Sequence, residues 1–210
     1  MNSTSPETDK TADAGGTAAG RRKPGARRLQ ILQTLAHMLE DPKGEKVTTA
    51  ALAAQLGVSE AALYRHFASK AQMFEGLIEF IESTIFGLIN DIDAKEPSGL
   101  KQVTRIVRML LDFATTNRGM TRVLIGDALV NEHERLQERI NQLHERIESS
   151  LRQSFRVAVT QDEVPAGSDA NARAALVLAY VVGRWHRFAK SGFRKPPADG
   201  LEAQLPILLT

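Results

Sequence analysis

The sequence predicts an all-α chain. Three observations predict it: apolar residues recur at helical spacing along most of the length, short breaks rich in Gly, Pro, Ser and Asp separate the segments that carry them, and strand-like alternation never persists. With 42% hydrophobic residues in 210, such a chain can bury a substantial core.

The elements follow in order. Residues 1–24 are rich in Gly, Ala, Ser, Thr and Asp without apolar period, which predicts a disordered arm. A first helix is expected from about Ala26 to Glu40, with Leu32, Leu35, Ala36 and Leu39 as its stripe and the DPKG string ending it. Thr48 or Thr49 can cap a second helix whose Leu52, Ala53 and Leu56 face inward until Gly57. A short third helix covers Glu60 to Phe67. Ser69, with Gln72 three residues on, forms a capping box for a long fourth helix reaching about Ile92. Its buried stripe is Phe74, Leu77, Ile78, Ile81, Ile85, Leu88, Ile89 and Ile92. Further helices are expected over Leu100 to Asn117, Thr121 to Val130, Glu132 to about Val157, and Asp169 to Ser191. These elements divide into an arm at 1–24, a small helical unit at 25–71 and a larger bundle at 72–210.

Composition narrows the function classes. There is no cysteine, so disulfides, thiolate metal sites and cysteine nucleophiles are excluded. The start, MNSTSPETDK, lacks an apolar h-region, and the longest apolar run, Ala174 to Gly183, falls far short of the roughly 20 residues that span a membrane. The expectation is a cytoplasmic protein with no membrane partner. His37, His66, His133, His144 and His186 have no metal-ligand spacing, and neither GxSxG nor a phosphate-binding GxxxxGK[ST] loop occurs. An enzyme, a catalytic residue, a metal site and a bound cofactor are therefore not expected.

The formal charge of +2 conceals an asymmetry: residues 1–28 carry +3, leaving −1 for the remainder. Five positive charges crowd between Arg21 and Arg28, directly before the first helix. Such a run, ending in Arg27 and Arg28, suits either phosphate and minor-groove contact or simple solvation.

The string TTAALAAQLGVSEAALYRHFASK places two short helices on either side of Gly57-Val58-Ser59. A glycine there can turn the chain through the left-handed region and Ser59 can cap the next helix, which is the geometry of a helix-turn-helix. Such a unit lays its second helix in the major groove while the first crosses the backbone. Small Ala61 and Ala62 permit close approach, Leu63 and Phe67 face the core, and Tyr64, Arg65 and His66 remain for DNA. An ordinary helical hairpin shares the turn and the spacing; the exposed Tyr-Arg-His and the upstream basic arm set this segment apart.

GVSEAALYRHFASK resembles the DNA-binding signature of the TetR family. The resemblance implies an N-terminal helix-turn-helix domain, a C-terminal helical dimerisation bundle and a dimer bound to double-stranded DNA. It implies hydroxyl contacts to phosphate or a base edge from Thr48 and Thr49, and approach of Ser59, Ala61 and Ala62 to the groove. Phosphate clamping is implied for Tyr64, His66 and Lys70, and a guanine or phosphate contact for Arg65. Within the family, LIEFIE, TRVLIGDAL and RINQLHERIE are similar to the nucleoid occlusion factors. That likeness implies binding to palindromic chromosomal sites and antagonism of the division protein FtsZ, whose C-terminal tail would be held by Phe80 and Asn117. Leu88, Asp112, Thr116 and Arg118 depart from that pattern. The alternative within the family is a ligand-responsive transcriptional repressor; no small-molecule ligand is expected on the first reading.

Two residue patterns bear on these implications. At about 100° per residue, Phe80 sits roughly 120° from the centre of the fourth helix's stripe, so it points to the surface, to a partner or to a neighbouring domain. Leu136, Ile140, Leu143 and Ile147 form a heptad-like stripe too short for a sustained coiled coil, as in one long amphipathic helix of a bundle. Ala175, Ala179 and Gly183 give the last expected helix a small-residue face, suited to a dimer seam or to close packing within one subunit. Arg184, Arg187, Lys190, Arg194 and Lys195 form a second basic stretch.

Overall fold

The computed structural model describes residues 25–41 and 46–209. The expected disordered arm, and Pro42 to Gly44 of the DPKG break, lie outside the described residues. Regular structure in the described residues is helical throughout: α1 (Ala26–Met38), α2 (Thr49–Gln55), α3 (Glu60–Tyr64), α4 (Lys70–Lys95), α5 (Gly99–Thr116), α6 (Arg118–Leu124), a 3-10 turn at Asp127–Leu129, α7 (Glu134–Thr160), α8 (Ala170–Lys190) and α9 (Leu201–Leu209).

Side-chain caps fix the starts. Thr48, rather than Thr49, accepts the Ala51 N–H at 3.1 Å; Ser59 accepts from Ala62 at 3.3 Å and Ser69 from Gln72 at 3.1 Å. Each satisfies a backbone donor that the first helical turn leaves without a partner. The Gln72 amide oxygen reaches back to the Ala68 N–H, one residue before the cap, so the box closes one position further out than a standard one. Gly57, at φ 64°, supplies the left-handed residue between α2 and α3.

The body is built from α4, α5, α7 and α8 packed against one another. Leu136, Ile140, Leu143 and Ile147 of α7 are all fully buried, and Leu151 and Phe155 continue the stripe. Trp185 of α8 is enclosed in the same core and donates its indole N–H to the Leu110 carbonyl at 3.0 Å, so its polar edge is not orphaned. The α7 helix is thus an amphipathic bundle helix.

Three expectations need correction. The helix expected over Thr121 to Val130 ends at Leu124, because Gly126 adopts φ 76° and the Gln137 side chain fills the space beside it. The C-terminal α9 lies beyond the last helix that the sequence predicts: KPPADG before it and Pro206 inside it disfavour a helix, yet Leu201, Leu205 and Leu209 form a buried four-residue stripe. Leu88 is 40% exposed rather than part of the α4 core. The buried seam of α4 steps through Ile78, Ile81, Ile85 and Ile89, and its drift leaves Leu88 on the edge shared with Thr84 and Phe80, four and eight residues earlier.

Candidate DNA interface and partner groove

The helix-turn-helix presents Thr48, Ser59, Ala61, Tyr64 and Arg65 to solvent, with Thr49, Ala62 and His66 partly covered beside them. Beneath them Leu52, Ala53, Leu63 and Phe67 are buried, so the reading surface is carried on a packed base. Glu60, the first residue of α3, adds a carboxylate that the sequence reading did not single out. It accepts from the Thr49 hydroxyl at 2.6 Å and ties the starts of the two helices together.

The basic candidates hold structural contacts as well. Arg28 donates to the His66 carbonyl at 2.8 Å and lies 4.2 Å above the Phe67 ring, clasping α1 to the end of α3. Arg27 donates to Gln30 within its own helix. Lys70 is ion-paired with Glu132, a largely buried carboxylate just before α7, and lies 5.6 Å from the centre of the Phe74 ring.

The small N-terminal unit is seated on the body through α1, which packs on α4 and α6. Arg122 of α6 donates to the carbonyls of Leu39 and Asp41 at the C-terminal end of α1, and through Nε to Asp127 at 2.8 Å. Lys190 of α8 pairs with the other Asp127 oxygen. Burial opposes ionisation of Asp127, but the hydrogen bonds from Lys190 and Arg122 outweigh it and hold the carboxyl below its ordinary range.

A groove of about 590 Å³ opens between α4 and α5. Phe80 and Leu88 line it from α4; Met109, Phe113, Thr116 and Asn117 line it from α5. Phe80 is 39% exposed, in line with its position off the α4 stripe. Its carbonyl accepts from the hydroxyls of Ser83 and Thr84, which keeps both hydroxyls on the helix surface without unpaired donors. The Asn117 amide donates to the Phe113 carbonyl at 2.9 Å at the helix end. The groove thus brings together Phe80 and Asn117, and also three of the departing positions, Leu88, Asp112 and Thr116. Arg118, the fourth, starts α6 and lies 5.8 Å from the Phe193 ring centre. Arg105 and Arg108, absent from the sequence reading, supply the basic wall. Met109 lies four residues after Arg105, and Asp112 four after Arg108, so the helical period of α5 already puts these side chains on one face.

Two family models match the chain. One for a tetracyclin repressor-like C-terminal domain of the SlmA-like type covers residues 98–210, and one for the tetR family of bacterial regulatory proteins covers residues 44–77. The nucleoid occlusion factor SlmA of Vibrio cholerae is 48% identical over 191 residues, 90% of this chain and 97% of that protein. SlmA of Idiomarina loihiensis is 47% identical over 182 residues, 87% of this chain and 93% of that protein. The chain belongs to the SlmA family of TetR-type regulatory proteins. It is a DNA-binding regulator rather than an enzyme.

Solved structures share the fold at low identity. The fatty acid degradation regulator FadR of Bacillus halodurans superposes with a TM-score of 0.75 at 12% identity, covering 90% of this chain and 97% of that one. AibR, solved with isovaleryl coenzyme A and operator DNA, superposes at 0.70 and 18% identity, covering 87% and 98%. Among the described residues no helix is long and apolar enough to cross a membrane.

Proposed function

We propose that this protein is a nucleoid occlusion factor: a homodimer on palindromic chromosomal DNA that antagonises FtsZ assembly by holding the FtsZ C-terminal tail in the α4–α5 groove. Residues 25–71 are the DNA-binding domain, 72–210 the dimerisation and partner-binding domain, and the protein resides in the cytoplasm on the nucleoid. The observation that carries the proposal is the groove itself. It is open, floored by apolar side chains and centred on a half-exposed aromatic, with Leu88 of the same helix exposed beside it while the rest of the α4 apolar seam is buried. Exposed aromatics in such pockets serve as anchors for partner chains. Kinship with the nucleoid occlusion factors over about 90% of the chain supports the partner assignment.

On the DNA side, Thr48, Thr49, Ser59, Ala61, Ala62, Tyr64, Arg65 and His66 meet the duplex, with Arg27, Arg28 and Lys70 adding positive charge at the rim. The dimer sets two recognition helices on half-sites about one helical turn apart, which one subunit cannot reach. The small-residue face of α8 forms the seam. Ala175, Ala179 and Gly183 are all exposed in the single chain, and a β-carbon on Gly183 would meet nothing within 4 Å.

Sedimentation of FtsZ polymer with the full chain, with and without chromosomal DNA, tests the reading. DNA-bound protein should reduce the pelleted polymer, and Phe80→Ala should remove that effect while leaving DNA affinity intact. Polymer unaffected by the DNA-bound protein, together with no binding of the tail peptide, would sink the proposal.

A further inference from the structure

Two arginines line the groove, and each already holds a carboxylate of its own chain. Arg105 pairs with Glu96 at 2.8 Å, and Arg108 faces Glu202 of α9 with both Nη atoms on both carboxylate oxygens. The two pairs are not equivalent. The Glu96 side chain is 7% exposed and also accepts the Ser98 N–H, so removing Arg105 would strand a buried charge. The Glu202 side chain is 75% exposed and returns to water at little cost. Arg108 is therefore the exchangeable cation of the groove wall.

We infer that Arg108 is a carboxylate-reading residue of the groove and that Glu202 is its resident competitor, so that an extended peptide docking on Phe80 places an acidic side chain or its terminal carboxylate on Arg108 and displaces Glu202. The inference rests on the groove being the peptide site. The present pairing supplies the geometry: a planar carboxylate already sits on the guanidinium fork, the arrangement that makes arginine selective for such groups. Glu202 on the guanidinium already neutralises Arg108, and Asp112, one turn along α5, lines the same groove, so a peptide without acidic groups has no charge to gain there. Displacement leaves α9 seated. Leu201, Leu205 and Leu209 are buried, Tyr180 donates to Gln204 at 2.6 Å, and Arg173 holds the Leu209 carbonyl. Glu202→Gln should thus fold normally.

Fluorescence anisotropy of a labelled FtsZ C-terminal tail peptide on the full chain tests this. A second peptide, with each Asp and Glu changed to Asn and Gln and its C-terminus amidated, serves as comparison. Glu202→Gln should tighten the acidic peptide about two- to fivefold at low salt, the range of an exposed ion pair, and leave the neutral peptide unchanged. The gain should fade at high salt. Arg108→Gln should weaken the acidic peptide and make Glu202→Gln silent. If both variants bind both peptides as the parent does, or if Glu202→Gln weakens the acidic one, the inference is overturned. Loss on Phe80→Ala in that same experiment would leave the groove reading standing. Failure of the parent to bind either peptide would remove the groove reading and this inference with it.

Discussion

Gly119 of α6 lies so close to Ala36 of α1 that a β-carbon on the glycine would sit 1.9 Å from the Ala36 carbonyl oxygen. The backbone of the body and the backbone of the DNA-binding unit meet here with no side chain between them. The neighbouring Arg122 secures the contact by donating to the carbonyls at the end of α1. Because the obstacle is backbone, it cannot rotate away. Gly119→Ala should therefore cost about 1–3 kcal/mol, as overpacked sites do, and lower DNA affinity by displacing α1. Gly87→Ala is the control: it is helical, nothing lies within 4 Å, and it should stabilise by about 0.5–1 kcal/mol. Chemical denaturation of both variants checks this; equal stability would mean that α1 and α6 part freely.

The position of Lys70 yields a second prediction. Its ammonium is shared with Glu132 rather than left free for phosphate, and Lys46 lies 4.0 Å from the same carboxylate. Glu132→Gln should release Lys70 toward DNA. Affinity would rise at low salt, and the slope of log affinity against log salt would steepen by about 0.9 for each phosphate gained. Thr48→Ala combined with Tyr64→Ala should act oppositely, weakening specific binding without unfolding the chain. Salt titrations of DNA binding decide both, and an unchanged slope in Glu132→Gln would show that Lys70 stays a purely internal strut.

Much of this was legible in the sequence, for physical reasons that differ between elements. The caps at Thr48, Ser59 and Ser69 and the turn at Gly57 are local chemistry, readable within four residues, so the helix-turn-helix could be placed closely. Phe80 was legible because it breaks the α4 period. Leu88 was not, since an ideal period keeps it near the stripe and only the drift of the real seam turns it to the groove. Arg108 was hidden for another reason: its partner lies on α9, 94 residues away, in a helix concealed by Pro206. Contacts across the bundle, such as Arg122 to α1, likewise leave no local trace.

The proposed dimer seam can be broken without touching the core. Leu176 on α8 is 58% exposed, next to Ala175 and three residues before the exposed Ala179, so it extends the small-residue face into one contiguous apolar patch. Leu176→Glu or Gly183→Leu should shift the protein to monomer in sedimentation velocity while the thermal unfolding of the subunit remains cooperative. DNA affinity should then fall steeply, because each half-site binds alone. A dimer that persists in both variants would place the seam elsewhere.

Acid should act through His144. Its ring lies 6.0 Å from that of Trp185, and its Nε2 is buried with no hydrogen-bond partner among the described residues. Burial lowers its pKa from the ordinary value of 6.5, against an opposing backbone hydrogen bond at Leu124. The sign follows directly. A histidine held neutral in the fold but free to protonate when unfolded leaves stability unaffected above about 6.5 and drains it as pH falls below that value. The loss approaches about 1.4 kcal/mol per pH unit until the folded-state pKa is reached, where the slope disappears. His144→Gln should cost some stability at neutral pH yet flatten the decline between pH 6.5 and more acidic values. Asp127 contributes separately and lower down, since a carboxyl held below its ordinary range loses its stabilising charge only as pH falls through that depressed value. Denaturation midpoints of the parent, His144→Gln and Asp127→Asn across pH 3 to 8 would separate the two. Parallel curves for parent and His144→Gln would rule out the histidine as the source of the upper limb.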